Sequence, residues 1–142
     1  HKVKLAVSGC PRNCAEATIK DIGIVCVEAG YDIVIGGNGG IEVRVTDPLV
    51  RVATEAEVLE YCGAVMQLYR EEGRYLERTA PWVERVGLAH IKARILDDEA
   101  GRKALYARFL FSQRYAQTDP WAERATGGVD AHEFQPLAVV EG

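Results

Sequence analysis

Apolar and polar positions alternate with strand periodicity along the first third of the chain. Four segments share this β-branched pattern: residues 3–8, 21–30, 31–45 and 48–53. Within the third of them, Asn38-Gly39 predicts a hairpin turn that joins two strands, because a type I′ turn needs positive φ at both central residues. Residues 13–20 predict a short helix between the first two strands. The pattern therefore indicates a small mixed or antiparallel sheet.

Helical spacing replaces this alternation after residue 53. Thr54 and Glu57 have the spacing of a capping box ahead of an apolar run. The apolar positions that follow recur every three to four residues and predict a helix of about 20 residues: Val58, Cys62, Val65, Met66 and Tyr69. Pro81 is predicted to stop this helix and to open the next one.

Two further segments complete the predicted architecture. The buried face of the second helix is expected to comprise Trp82, Val83, Val86, Ile91 and Ile95. Residues 97–116 predict a third helix with an acidic start and an apolar surface from Leu105, Phe109 and Phe111. The aperiodic residues from 119 onward predict an extended surface tail. A sheet followed by helices that pack on one face is an α+β fold.

Composition excludes several classes of function. The 142 residues suffice for one domain with a core. The net charge is −4, and the sequence has no basic patch that would bind nucleic acid. No apolar run is long enough to cross a bilayer. Four cysteines are too few for a disulfide scaffold, which favours a reducing, cytoplasmic compartment. The chain opens inside a predicted strand and without methionine, so we expect it to be part of a longer protein.

The candidate chemistry lies in Cys10 and Cys14, which flank a proline, an arginine and an asparagine. Backbone N–H groups at the start of the predicted helix favour negative charge and would lower thiol pKa values. The residues alone leave four interpretations open: incidental thiols, half of a zinc site, half of an iron–sulfur site, or a redox pair. Cys26 and Cys62 lie among apolar residues and are predicted core thiols, so the chain does not complete a four-thiolate site.

The glycine-rich segment 36–40 also has two interpretations. It does not match a nucleotide-binding Gly-x-Gly-x-x-Gly loop, since Glu42 occupies the third glycine position. It is either the hairpin turn or a place where the backbone approaches a large planar ligand. The three histidines are interpreted as surface or packing residues.

Together, the residues from Lys4 to Val45 resemble the sirohaem and [4Fe–4S] domain of the nitrite and sulfite reductase family. The run Cys-Pro-Arg-Asn-Cys-Ala-Glu-Ala at 10–17 is similar to the large subunit of assimilatory NAD(P)H nitrite reductases. Sulfite reductases usually carry Asn-Gly in place of Arg12-Asn13. The resemblance extends to about residue 96, which divides the chain into the C-terminal half of that domain, 1–96, and a C-terminal helix and tail, 97–142.

The resemblance implies roles for individual residues. Cys10 and Cys14 match the second cysteine pair of the family, as ligands of the [4Fe–4S] cluster, and Cys14 would bridge the cluster to the sirohaem iron. Gly36, Gly37 and Asn38 match the segment that lies against the sirohaem. The first, Cys-x5-Cys pair and the basic residues that bind the substrate are missing here, as are the regions for FAD and NAD(P)H.

For the whole protein, the resemblance implies reduction of nitrite to ammonia with electrons from NAD(P)H. The implied partners are the upstream part of the same subunit, a small nitrite reductase subunit and nitrite, but no nucleic acid and no membrane. We expect this chain by itself to be inactive and to hold no cofactor. The alternatives are a sulfite reductase fragment and a free-standing metal- or cluster-binding module.

Overall fold

A computed structural model of the chain describes residues 2–114 and residue 125. The predicted tail from residue 119 and the end of the third predicted helix, with His132, lie outside the residues described, Ala125 excepted. The histidine at position 1 lies outside them as well.

A four-stranded mixed sheet forms the first layer. Its strands are β1 (Leu5–Ser8), β2 (Ile22–Val27), β3 (Gly30–Ile35) and β6 (Asp47–Val52), in the order β1-β2-β3-β6. β1 and β2 run parallel, whereas β3 is antiparallel to both β2 and β6. A separate two-stranded ribbon pairs β4 (Asn38–Gly39) with β5 (Val43–Arg44).

The helices follow in sequence and form the second layer. They are α1 (Glu55–Glu72), α2 (Thr79–Val86), α3 (Leu88–Lys92), a π-helical turn (Ala93–Asp97) and α4 (Glu99–Gln113). The predicted capping box is confirmed, since Thr54 Oγ1 accepts from the Glu57 N–H at 3.2 Å and Glu57 Oε2 accepts from the Thr54 N–H at 2.9 Å.

One face of the sheet and the inner faces of the helices share the core. The strand residues in it alternate along β2 and β3, as expected for a sheet covered on one face. In β6 the two core residues are three positions apart, beside an irregularity in the pairing with β3. The strand residues of the core are Ile22, Ile24, Ile33, Ile35, Leu49 and Val52. The helical residues include Val65, Leu68, Trp82, Val83, Ile91, Ile95 and Leu105. The predicted α+β class is confirmed. α4 packs mainly on α1, so it forms a further layer rather than a direct cover of the sheet.

The prediction of a short helix over residues 13–20 is wrong. Only Ala17–Ile19 form a single 3₁₀ turn. Asn13 and Glu16 both have a φ of 55°, in the left-handed region. A left-handed residue cannot continue a right-handed helix, so the loop closes as consecutive tight turns instead.

The predicted turn at Asn38-Gly39 is also displaced. Both residues belong to β4, and the connection to β5 runs through residues 40–42. β4 and β5 pair with each other, while β3 pairs with β6. Local turn propensity therefore identified a hairpin but misplaced its turn by about two residues.

Three smaller helix predictions need correction. α1 ends at Glu72, beside Gly73, so it is not Pro81 that stops this helix. Pro81 was also predicted to open the next helix, but it is the third residue of α2. Phe111, predicted to add to the apolar packing face, is 56% exposed.

Candidate functional site

Cys10 and Cys14 lie on the loop that follows β1. Both are exposed free thiols. The N–H donors of an α-helix that we expected beside them are not there, because the loop leads into a single 3₁₀ turn. Two accessible thiols on one tight loop remain available to a soft metal, for which thiolate is a preferred ligand.

Asn13, between the two cysteines, organises this loop. Its Oδ1 accepts from Ser8 Oγ at 2.9 Å and from the Ala17 N–H at 2.8 Å. Its Nδ2 donates to Thr18 Oγ1 at 2.6 Å. Its backbone N–H donates to the Cys10 carbonyl at 3.1 Å, and its carbonyl accepts from the Glu16 N–H at 2.9 Å. Asn13 thereby joins the end of β1 to the 3₁₀ turn.

The glycine-rich segment lies against the residues that follow the cysteine loop. The Gly36 N–H donates to the Asp21 carbonyl at 2.9 Å, and the Gly37 N–H donates to the Lys20 carbonyl at 3.0 Å. A third bond runs from the Thr46 N–H to the Thr18 carbonyl at 2.8 Å. The structure thus links the predicted cluster loop and the predicted sirohaem segment through residues 18–21.

Gly36 and Gly37 are required by the packing of this chain itself. A Cβ on Gly36, whose φ is +76°, would lie 2.8 Å from Val83 Cγ2. A Cβ on Gly37 would lie 2.6 Å from the Lys20 carbonyl oxygen. Both glycines are buried, whereas Asn38 is half-buried and Gly39 is exposed. The accessible part of the predicted sirohaem segment therefore starts at Asn38.

Two clefts border this segment. One, of about 150 Å³, includes Lys4, Lys20 and Asn38 in its lining; the other, of about 430 Å³, includes Asn38, Arg44 and Arg78. The smaller cleft has an excess of basic side chains, which suits an anionic ligand, whereas Asp21, Glu42 and Glu84 offset the two arginines in the larger cleft.

Arg44 fixes the glycine-rich segment to α2. Its guanidinium donates to the Gly36 carbonyl at 2.6 Å, to Asp47 at 2.7 Å and to Glu84 at 2.9 Å. The hydrogen bond to Asp47, with that to Glu84, raises the pKa of Arg44. This role could not be predicted from the sequence, since Arg44 had no signal beyond its place in a predicted strand.

Asp21 is a second residue whose role the sequence pattern did not predict. Its carboxylate is buried and accepts from the Lys4 N–H at 2.8 Å, from Arg78 Nη2 at 3.0 Å and from the Thr79 hydroxyl. A buried carboxylate needs such donors to offset the loss of hydration. Asp21 therefore ties the start of β2 to the start of α2, directly below the glycine-rich segment. A charged residue at the start of a predicted buried strand was the available signal.

The other two cysteines have different surroundings. Cys62 is buried, and this burial raises the pKa of its thiol to about 12. Cys26 is only half-buried, so its predicted place as a core thiol is correct in part. His90 is exposed and pairs with the Glu72 carboxylate at 3.0 Å.

The donor set fits part of a cluster site. Within the described part of the chain, no group of three or more His, Cys, Asp or Glu side chains is placed to hold a metal ion. A [4Fe–4S] cluster takes four cysteine thiolates, and the loop offers two accessible ones. None of the described helices is long and apolar enough to cross a membrane.

The chain is similar in sequence to known nitrite and sulfite reductases. The chain is 50% identical over 123 residues to nitrite reductase [NAD(P)H] of Bacillus subtilis (strain 168), a match that covers 87% of this chain and 15% of that protein. It is 37% identical over 125 residues to the nitrite reductase (NADH) large subunit of Escherichia coli (strain K12), with coverage of 87% and 15%. An assimilatory-type sulfite reductase of Nitratidesulfovibrio vulgaris is 32% identical over 95 residues, 67% of this chain and 44% of that protein.

The chain thus spans about 15% of the length of the nitrite reductases it matches. Residues 1–104, which include the cysteine loop, the glycine-rich segment and the helices as far as the first part of α4, match the nitrite and sulphite reductase 4Fe-4S domain. On this match, the chain belongs to the nitrite and sulphite reductase 4Fe-4S domain family.

Proposed function

We propose that this chain is part of the large subunit of an NAD(P)H nitrite reductase, in which it supplies half of the ligands of a [4Fe–4S] cluster and one wall of a sirohaem site. Cys10 and Cys14 would bind cluster iron as thiolates. Gly36, Gly37 and Asn38 would form the wall, with Asn38 as its accessible residue. The observation that carries the proposal is the exposed cysteine pair on a loop fixed to the glycine-rich segment.

The remaining ligands have to come from outside the described residues. Two thiolates are half of the usual four, and the described residues offer no third ligand beside the loop. We assign the other two to an upstream part of the same subunit, together with the substrate-binding basic residues and the FAD and NAD(P)H sites. The isolated chain is then inactive and binds neither cluster nor sirohaem. A small nitrite reductase subunit is a further proposed partner.

The chain's own residues would bind and orient the cofactors. When bound, the cluster and the sirohaem supply the redox chemistry that reduces nitrite to ammonia. Cys14 would be a ligand of both groups, whereas Cys10 would be a ligand of the cluster only. Substitution of Cys14 should therefore have the larger effect. Arg44 and Asp21 hold the glycine-rich segment in place through hydrogen bonds to the Gly36 carbonyl and from the Gly36 N–H, respectively. Lys4, Lys20 and Arg78, which line the smaller cleft, would place positive charge beside an anionic cofactor.

Substitution of Cys14 in the full-length enzyme tests this function. We expect Cys14→Ser to lower nitrite reduction by orders of magnitude, because a serine oxygen is a poorer ligand of cluster iron than a thiolate. Reduction of an artificial acceptor by NAD(P)H does not use this site and should be retained. Cys26→Ser is the matched control, since it makes the same chemical change in β2, outside the cysteine loop.

One result would contradict the proposal, and a second would show that the variant is misfolded. Retained nitrite reduction in Cys14→Ser would eliminate Cys14 as a ligand of both groups. Equal loss of nitrite reduction and acceptor reduction would indicate misfolding of the whole subunit rather than loss of a ligand.

Sulfite is the second candidate substrate, because an assimilatory-type sulfite reductase also matches this chain, at 32% identity. The residues that bind the substrate anion lie upstream on this proposal. Parallel assays of the full-length enzyme with nitrite and with sulfite separate the two functions. A higher kcat/KM for sulfite would replace nitrite reductase with sulfite reductase and leave the cysteine assignment unchanged.

A further inference from the structure

We propose that one face of the β4–β5 ribbon is the surface on which the upstream part of the same subunit docks. This face carries the side chains of Ile41, Val43 and Val45, and we call it the ribbon face. The inference rests on the proposed function, which assigns two cluster ligands and the opposite wall of the sirohaem site to the upstream part. It adds the surface of this chain that receives that part.

The side chains along β5 and its flanking residues alternate in the opposite sense to an ordinary surface strand. Val43 and Val45 are 68% and 66% exposed, and Ile41 is fully exposed. Arg44 is half-buried, and Thr46 is buried. A strand of an antiparallel pair that faces water on one side normally turns its apolar residues inward and its polar residues outward. Here the polar residues point inward and three β-branched side chains lie in solvent.

Hydrogen bonds hold the ribbon in this orientation. The guanidinium of Arg44 donates to three acceptors: the Gly36 carbonyl, Asp47 and Glu84. Because successive side chains of a strand point to opposite faces, a shift in register by one residue would bury Val43 and Val45 and expose Arg44. That shift would break the three bonds of Arg44. The exposed valines are therefore a stable feature of the ribbon.

The position of the ribbon face identifies what covers it. β4 begins at Asn38, the last residue of the proposed sirohaem wall, and pairs with β5 through Asn38 with Arg44 and Gly39 with Val43. The ribbon face thus borders the place where the upstream part has to approach in order to supply two thiolates and the opposite wall.

Length and stability favour the same occupant. The chain spans about 15% of the length of the nitrite reductases it matches, so on the proposed function most of the subunit lies outside it. Neighbouring apolar side chains that form an exposed patch mark interaction sites, and a two-stranded ribbon by itself is only marginally stable. Apolar side chains of the upstream part, packed on the ribbon face, would bury the patch and stabilise the ribbon.

Thiol labelling of a substituted ribbon face tests this inference. Val43→Cys is labelled in the isolated chain and in the full-length subunit loaded with its cofactors, and mass spectrometry reads this position apart from the native cysteines. We expect fast labelling in the isolated chain, because position 43 is exposed. In the full-length subunit the rate should fall about 10-fold or more, because the docked surfaces have to open before the reagent enters.

Leu59→Cys is the matched control. Leu59 is 63% exposed, close to the value for Val43, but it lies on α1 and not on the ribbon. Its labelling rate should be the same in the isolated chain and in the full-length subunit. If labelling slows equally at both positions, the larger protein covers the chain without preference for the ribbon face, and the proposal is overturned.

Three further results would assign the ribbon face to another occupant and overturn the proposal. Labelling of Val43→Cys that is slow in the loaded subunit but fast in the cofactor-free one would make the sirohaem itself the occupant. Slow labelling that is lost on dilution would indicate a second copy of the subunit. Slow labelling in the isolated chain would mean that the chain covers this face by itself. Slow labelling in both the loaded and the cofactor-free subunit, at all concentrations, supports the upstream part.

The outcomes also separate this inference from the proposed function. Fast labelling of Val43→Cys in a full-length subunit that reduces nitrite overturns the docking surface and leaves the cluster and sirohaem roles in place. Retained nitrite reduction in Cys14→Ser contradicts the proposed ligands, and slow labelling at position 43 would still support the docking surface. Should Val43→Cys not fold, Val45→Cys on the same face takes its place in every comparison.

Discussion

The cysteine loop and the helical core place the same chemical group in opposite surroundings. Cys10 and Cys14 are exposed on tight turns that Asn13 holds in shape. Cys62 lies in α1, where burial raises the pKa of its thiol to about 12. A thiol acts as a nucleophile or metal ligand only as thiolate. The environment, and not the residue type, therefore separates a candidate ligand from a packing residue.

The two regions are also held together by different forces. In the helical core, apolar burial around residues such as Val65 and Trp82 supplies the main stabilisation. In the loop, hydrogen bonds from one asparagine and its neighbours fix the backbone. Loss of packing should therefore affect the whole molecule, and loss of loop hydrogen bonds should act locally.

Thiol labelling of the native chain should show the largest difference. At pH 8 only about one in ten thousand Cys62 side chains is a thiolate, given its pKa of about 12. We expect Cys10 and Cys14 to react at least about 100-fold faster than Cys62, with Cys26 between them, since accessibility adds to the difference. Mass spectrometry of timed samples measures each site. Labelling of Cys62 at the rate of Cys10 would show that the core of this structure is wrong.

Val65→Asp should abolish the difference in labelling rate between Cys10 and Cys62. Val65 is 3% exposed, and an unpaired carboxylate there costs several kcal/mol, which is close to the whole stability of a domain of this size. The variant should unfold, so that Cys62 labels as fast as Cys10. Leu59→Asp, in the same helix at a position 63% exposed, is the control and should keep Cys62 protected.

Asp21→Asn should weaken the connection between the two regions. The neutral amide loses the charge that pairs with Arg78, and its NH₂ group replaces one of the two oxygens. The NH₂ group then faces either the Lys4 and Arg78 donors or the Thr79 hydroxyl. We expect a loss of about 2 kcal/mol in the free energy of unfolding. The loss stays below that of a fully buried ion pair, because the Arg78 side chain is 44% exposed and water can replace part of the interaction.

Asp32→Asn is the matched control for this prediction. Asp32 forms an exposed pair with Arg51, and exposed pairs contribute about 1 kcal/mol or less. Urea unfolding of both variants measures the difference. Equal losses would mean that burial of Asp21 adds nothing to its role.

The smallest effect concerns acid stability near the end of α1. Hydrogen bonds from Arg85, with that from the Arg74 N–H, lower the pKa of Glu77 from 4.5 to about 2. A proton therefore binds the unfolded chain more readily than the folded one. The stability that Glu77 contributes is present above about pH 5 and is lost as the pH falls towards about 2.

Glu77→Gln should flatten this part of the pH dependence. Denaturant unfolding at several pH values between about 2 and 5 measures the slope. Glu28→Gln, which removes an exposed carboxylate from the β2–β3 connection, should leave the slope as in the wild type. If Glu77→Gln has the wild-type slope, the Arg85 pair does not contribute to acid stability.

Much of the fold could be predicted because local patterns and tertiary packing agree there. The strand periodicity of residues 21–35 and the capping box at Thr54 locally favour the same strands and the same helix start that the folded protein contains. The turn at Asn38-Gly39 failed because residues 38 and 39 are needed in β4, whose pairing with β5 outweighs the local turn preference.

The sequence by itself determined the α+β class, the cysteine pair and the family, because these depend on spacing and on residue types. Only the tertiary structure decided that Asn13 anchors the cysteine loop and that Asp21 is buried beside the glycine-rich segment. It also decided that neighbouring atoms occupy the space that a Cβ on Gly36 or Gly37 would need. The physical reason is that each of these roles comes from atoms brought together across the fold. Asp21 and Thr79, for example, are 58 positions apart in the chain.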